Sequence, residues 1–341
     1  MTTHVDYAGL VLRAGSDARR RLLAWLTEYG FGDARRLWNP TSGRDDEVTP
    51  TRTAVVICED ERGRRLCVKF YEDSEQGRAG LQWHAKCLST VSGAVPVPEV
   101  IAAEYGADTF GLPALVMTYV GEPLDRAIST LSDRQRVALA EGVADSLAVL
   151  SCLDLRPSGI PVPDADGLRR QVAAKFAHDV RWYVEHARAA DEQVRRLVLR
   201  GAGILAEADI PVSAASLCHS DLVASNITVR DGLLSGLIDW DYAEVGPAAL
   251  DVGSAMLGLL VTIAIPRDER LQMLAAMLAR CQSHAESCDE STETMALVFA
   301  LDALLDWTIG GKDAPRDDLI WATSGVIVAI EGKAPLTDVL R

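Results

Sequence analysis

Cys218-His219-Ser220-Asp221-Leu222-Val223-Ala224-Ser225-Asn226 leads into Ile227-Thr228-Val229-Arg230, the dipeptide Asp231-Gly232, the run Leu233 to Ile238, and then Asp239-Trp240. Asp-Gly between two aliphatic, β-branched runs signals a hairpin, because a tight hairpin turn needs left-handed backbone that Asp and Gly adopt cheaply. A hairpin returns the chain near its starting point. It therefore brings Asp239 beside Asn226 and Asp221 at one end of the ribbon. Asn226 and Asp239 offer hard oxygen ligands of the kind magnesium prefers, with phosphate and water completing the shell. The remaining carboxylate, Asp221, stands on the loop, where it can orient or deprotonate a hydroxyl.

Around this island the pattern is helical. Ser132 followed by Gln135 forms a capping-box signal, and Ala140, Val143, Leu147 and Leu150 then make a stripe that reads as core. Val252 to Ile265 is the longest uncharged apolar stretch, too short for the ~20 residues of a membrane span, and reads as a buried helix. Upstream the pattern differs. Asp17 to Tyr29 repeats leucine at helical spacing, with Gly30 and Gly32 to end it. Ala54 to Ile57 and Leu66 to Tyr71 are then expected as an antiparallel hairpin about a turn holding Gly63. In the second strand Leu66, Val68 and Phe70 share one face, with Cys67, Lys69 and Tyr71 on the other. A helix from Gly80 to Val91 and a strand pair ending at Leu115-Val116-Met117 follow. The connector Thr118 to Pro123 separates the two halves.

With 341 residues, 48% hydrophobic, the chain has material for two cores. Its 34 basic and 49 acidic residues give a net charge of -15. That disfavours a nucleic-acid binder, which needs a basic face, and leaves cationic small molecules open. Seven scattered cysteines without CxxC spacing suit free thiols in a reducing cytoplasm. Residues 1–20 carry charges throughout and show no secretory signal. A cytoplasmic protein without membrane attachment is expected.

The H-x-D-x-x-x-x-N loop, hairpin and I-D-W arrangement is similar to that of the protein-kinase-like antibiotic phosphotransferases, the aminoglycoside and macrolide enzymes and their choline-kinase relatives. The resemblance implies a bilobal α+β fold of that kind. A small antiparallel β lobe with helices, residues 1–117, would bind nucleotide; residues 118–123 would be a hinge; a larger, mainly helical lobe, 124–341, would hold catalysis and substrate. Position by position, Asp221 matches the family's catalytic aspartate, Asn226 and Asp239 its magnesium ligands, and Asp251, after Gly246-Pro247, the aspartate that braces the catalytic loop. His219 is a structural histidine, and Ser220 stands where the family usually has glycine. Lys69, in Val-Lys-Phe, resembles the lysine that grips the α- and β-phosphates. Met117-Thr118-Tyr119-Val120-Gly121 resembles the hinge, with the nucleobase on the main chain of Thr118 and Val120 and Met117 behind it. The loop over the phosphates falls between Trp38 and Arg52, where Ser42 and Gly43 follow Thr41 without a G-x-G-x-x-G repeat. The helix glutamate that pairs with the lysine in this plan has no assignment: Glu75 comes early, and the expected region holds Gln82 and His84.

The implied reaction moves the γ-phosphoryl group of ATP or GTP, with Mg2+, to a hydroxyl of an aminoglycoside, macrolide, nucleoside or peptide antibiotic, for resistance or self-protection. Choline, homoserine and methylthioribose kinases share the plan and form one alternative. A pseudokinase that binds nucleotide or drug without transfer is another, against which the intact Asp221, Asn226, Asp239 and Lys69 count. A metal-dependent hydrolase on His219, Asp221 and Asp239 would need further ligands, and none is suitably spaced. For acceptor contacts the candidates are Asp302 and Asp306 as an acidic wall and Trp182, Tyr183 and Trp307 as a stacking surface. Solvated surface and core packing are their plainer readings. The same wall reading extends to Asp317, Asp318 and the run Asp289, Glu290 and Glu293.

Overall fold

The β-branched run from Thr53 forms a strand, Thr53–Asp60. The computed structural model describes residues 16–31, 34–38, 53–208, 214–284, 290–310, 314–332 and 334–341. It divides into two compact units, residues 1–92 with 97–120, and residues 93–96 with 121–341.

In the first unit, helix α1 (Asp17–Glu28) starts at Ser16, whose side chain accepts from the Arg19 amide, and gives way to Gly30 at φ 78°. Strands β1 (Ala34–Trp38), β2 (Thr53–Asp60), β3 (Arg65–Tyr71), β4 (Val100–Glu104) and β5 (Ala114–Thr118) make one antiparallel sheet in the order β1-β2-β3-β5-β4. The β2–β3 turn is closed by Asp60, whose Oδ1 accepts from the amides of Arg62 and Arg64 at 2.9 and 2.8 Å. Leu66, Val68 and Phe70 enter the core together with Leu22 and Leu26 of α1 and with Phe110 and Val116. Each such side chain taken fully from water contributes about 1.5–3 kcal/mol, which fastens α1 to the sheet. Helix α2 (Glu75–Val91) begins more than a turn before the expected Gly80. Ser74 is the reason: its hydroxyl accepts from the Gly77 amide at 3.1 Å and caps the helix there.

The second unit is mainly helical. A short strand β6 (Glu122–Pro123) leads to α3 (Asp133–Ser151), α4 (Ala165–His186) and α5 (Glu192–Glu207). Strands β7 (Ser216–Cys218), β8 (Ile227–Arg230), β9 (Leu233–Leu237) and β10 (Glu244–Gly246) follow, then α6 (Ala249–Val261), α7 (Arg267–Ser283), α8 (Glu290–Gly310) and α9 (Arg316–Gly332). Two small sheets result, β6-β8-β9 and β10-β7. The capping box at the start of α3 forms as expected, with the Gln135 amide on Ser132 Oγ and the Ser132 amide on Gln135 Oε1. Gln135 also packs over the hairpin: a Cβ on Gly232, which sits at φ 78°, would lie 1.9 Å from its Nε2. Two local signals far apart in sequence thus meet in space.

The apolar stretch expected as a helix over Val252–Ile265 is helical only to Val261. It starts three residues earlier, and Thr262 ends it by turning its hydroxyl back to the Gly258 carbonyl at 2.6 Å. Helix α6 is buried along its whole length between α8 and α7. Among the described residues no helix is long and apolar enough to cross a membrane.

Close backbone approach carries the α6–α8 crossing. A Cβ on Gly253 would lie 2.7 Å from the Ala296 carbonyl oxygen and 2.8 Å from the Ala300 amide nitrogen, both main-chain atoms that cannot swing away. Gly253→Ala is expected to lower unfolding free energy by about 1–3 kcal/mol in urea titration, as overpacking does. Gly203→Ala, at a position of α5 with nothing within 4 Å, should instead raise it by about 0.5–1 kcal/mol through helix propensity.

Candidate active site

The loop between β7 and β8 is built against α6. Asp251, in the first turn of α6 and 3% exposed, accepts the His219 amide on Oδ2 and the Ser220 amide on Oδ1, both at 2.8 Å. Farther along the same helix, Ser254 Oγ accepts the Leu222 amide at 2.7 Å and Thr262 Oγ1 the Ala224 amide at 3.0 Å. Between them a Cβ on Gly258 would lie 2.4 Å from the Leu222 carbonyl oxygen, so only glycine lets the loop lie so close. Ser254, Gly258 and Thr262 were not singled out from the sequence. The signal was there: Asp251, Ser254 and Gly258 recur at i, i+3 and i+7, a polar or small face on an otherwise apolar helix.

His219 is fully buried and joins the two sides of the hairpin. Its Nε2 is 2.8 Å from the Ile238 carbonyl and its Nδ1 3.4 Å from the Asp221 amide. The carbonyl can only accept and the amide only donate, so the ring carries its proton on Nε2. The Trp240 ring packs on it at 4.7 Å and donates its own N–H to the Leu237 carbonyl.

Asn226 and Asp221 are in direct contact. Asn226 Nδ2 donates to the Asp221 main-chain oxygen at 2.8 Å and to its carboxylate Oδ2 at 2.9 Å. Both amide hydrogens are spent there, which leaves the Asn226 side-chain oxygen as the atom suited to a hard cation. The Ile238 amide donates to the Asn226 carbonyl at 2.9 Å, so Asp239 follows directly on the residue paired with Asn226. These donors, an amide oxygen and a carboxylate, fit magnesium by their chemistry.

Ser220 and Asp239 both adopt left-handed backbone at φ 66°. For Ser220 this accounts for glycine at the equivalent place in the motif: an L-residue pays about 1–2 kcal/mol there. Its hydroxyl reaches Glu244 Oε1 on β10 at 3.4 Å, a contact glycine lacks.

In the first unit Lys69 is buried on β3, opposite Val55 and Leu115. Met117 is buried opposite Cys67, and Thr118 is tied to Glu99 through its amide and its hydroxyl. Val120 is the last residue of that unit before the chain passes to the second. Ser42 and Gly43 lie outside the described residues.

The family described as the phosphotransferase enzyme family matches residues 51–264, from β2 through α6. The chain belongs to that family. A comparison with curated proteins found no match. Among solved structures, the GDP complex of wild-type aminoglycoside 2'-phosphotransferase-IIIa is similar to this chain with a TM-score of 0.58 at 16% identity, over 93% of this chain and 99% of that one. A thermostable mutant of aminoglycoside phosphotransferase APH(4)-Ia, in ternary complex with ADP and hygromycin B, gives 0.56 at 18% identity over 90% and 96%. Macrolide 2'-phosphotransferase MphH from Brachybacterium faecium gives 0.55 at 15% identity over 94% and 97%. Identity this low establishes the shared fold, the α+β plan of protein-kinase-like antibiotic kinases.

The candidates for acceptor contact take different positions. Asp302 is 5% exposed; its Oδ1 and main-chain oxygen accept the Tyr183 hydroxyl at 2.8 Å, and Oδ2 pairs with Lys175, which also holds Asp179 at 2.6 Å. Burial raises the Asp302 carboxyl above its ordinary range, against the pull of Lys175. Asp318 is likewise internal, bound to Arg270 and Arg267. Of the aspartates read as an acidic wall, Asp302 and Asp318 thus face inward. Tyr183 is core, Trp182 is half-buried and stacks on His186 at 4.1 Å, and Asp306 and Trp307 are half-buried. The side chains of Asp289 and Glu290 lie outside the described residues.

Burial pushes the Asp251 carboxyl up to about 7, against the two amide bonds that favour its charge. The folded state therefore holds a proton that the unfolded state has released, and this contribution to stability is complete below the ordinary carboxylate value and lost as pH rises through 7. The unfolding free energy of the native protein minus that of Asp251→Asn is expected to be larger at about pH 5 than at about pH 8.5 in denaturant titrations. A gap that widens with pH contradicts the assignment.

Proposed function

We propose that this phosphotransferase moves the γ-phosphoryl group of ATP or GTP to a hydroxyl of a small-molecule antibiotic. The observation that carries the reading is the Asp221–Asn226 contact on a loop fastened by Asp251. The Asn226 amide spends both hydrogens on Asp221, which leaves its side-chain oxygen for a cation and suits the Asp221 carboxylate to an acceptor hydroxyl.

In this reading Asp221 receives the acceptor hydroxyl and aims its oxygen in line with the γ-phosphorus. Asn226 and Asp239 would hold magnesium, which would neutralise charge on the phosphates. Lys69 grips the α- and β-phosphates, and the nucleobase lies on the main chain of Thr118 and Val120 in front of Met117. Phosphoryl transfer passes through a loose transition state, so positioning and charge neutralisation outweigh strong base catalysis. Asp221 acts mainly by orientation. The ADP and hygromycin B found together in one similar structure support nucleotide and antibiotic as the two substrates. The acidic balance of the chain favours cationic acceptors among the antibiotics.

Asp221→Asn keeps an acceptor oxygen for the Asn226 amide and so preserves the loop. It is expected to retain nucleotide binding while turnover drops by about 100-fold or more. Near-full turnover in this variant refutes the assigned role. The acceptor is identified by mass spectrometry of hydroxylated antibiotics, choline and homoserine incubated with the protein, magnesium and ATP or GTP. An added phosphate on an antibiotic supports the proposal; phosphate on choline or homoserine alone replaces it with a metabolite kinase.

A further inference from the structure

Lys69, Tyr71 and His84 lie together inside the first unit. Lys69 and Tyr71 are two residues apart on β3, so the pleat sends both side chains to one face. Both are buried, and Lys69 Nζ lies 5.7 Å from the centroid of the Tyr71 ring. The Tyr71 hydroxyl is 2.7 Å from His84 Nδ1, and the two rings meet edge to face at 6.5 Å. His84 is buried on α2. Glu75, the single acidic residue of that helix, sits exposed in its first turn.

An ammonium over an aromatic face is attracted by the ring's quadrupole, and more strongly once both have left water. The His84 bond fixes how the ring stands. The ring itself leaves the charge of the ammonium uncancelled.

We propose that Tyr71, oriented by His84, is a positioning residue for Lys69. Its consequence for nucleotide binding rests on the reading of Lys69 as the phosphate-gripping residue; the positioning itself does not.

The chain has five lysines, so NMR of protein labelled with 13C-lysine, with Lys69→Arg to identify the signal, resolves this one side chain. The Lys69 ε-protons are expected upfield of the other four through the Tyr71 ring current. The displacement vanishes in Tyr71→Leu and is altered in Tyr71→Phe, which keeps the ring but loses its bond to His84. His84→Gln leaves the ring but alters the bond that orients it, and is expected to change the displacement; it serves as the test if Tyr71→Leu melts early. An ε-signal unmoved in a folded Tyr71→Leu, or in His84→Gln, overturns the proposal. MgATP titration supplies the second readout: Tyr71→Leu weakens binding by about five- to tenfold in the native background and adds nothing in Lys69→Ala. Additive losses overturn the coupling. If the ring-current shift is present while the native protein binds neither MgATP nor MgGTP, the positioning stands and the phosphate-gripping role falls.

Discussion

Two consecutive amide hydrogens, on His219 and Ser220, end on the two oxygens of one buried carboxylate, Asp251. The rest of the candidate site depends on this. A buried carboxylate is costly unless its lone pairs are taken, and buried amides are costly unless they find acceptors. Here each requirement meets the other, and the loop cannot lift from α6 without exposing both. Ser254, Thr262 and the close approach at Gly258 extend the same seam down the helix. Asp221 is thereby held on a surface made by a helix rather than on a free loop.

Much of this second-unit arrangement was legible because its signals are local. Asp231-Gly232 states a turn, the turn states a hairpin, and the hairpin brings the residues before β8 to those after β9 without any tertiary knowledge. Ser132 and Gln135 likewise announce the start of α3. Where the reading slipped, a single side chain decided the matter: Ser74 started α2 early, and Thr262 stopped α6 short of Ile265. The fate of the acidic residues near the end of the chain was not legible at all. Asp302 on α8 turns inward because Lys175 and Tyr183 of α4 wait for it, and Asp318 on α9 because Arg270 of α7 does. Spacing along one helix carries no information about a partner on another.

The same limit applied to Lys69. Alternation along β3 correctly put Lys69 and Tyr71 on a common face, but the covering helix was placed from Gly80 and searched for a carboxylate. The partner that meets Tyr71 is an imidazole, from a helix whose length follows from its cap. A charge-based search along the helix passes over it.

Among the described residues, the non-glycine residues with positive φ are Ser220, Asp231 and Asp239. One sits in the hairpin turn, where Asp tolerates that conformation, and the other two stand at the open end of the ribbon, Ser220 next to Asp221 and Asp239 after the residue bonded to Asn226. Left-handed backbone at a serine and an aspartate outside a tight turn costs free energy that nothing local returns. It persists because tertiary contacts over-determine it: Asp251 fixes Ser220 from one side, and His219, bonded to Ile238 and packed on Trp240, fixes the approach to Asp239 from the other. Strain concentrated at the open end of one ribbon, and held there by buried polar groups, is what a site needs if its two carboxylates must keep a fixed separation while their charges repel. The strained positions are Asp239 itself and the residue before Asp221, so the backbone marks the same stretch that the motif does.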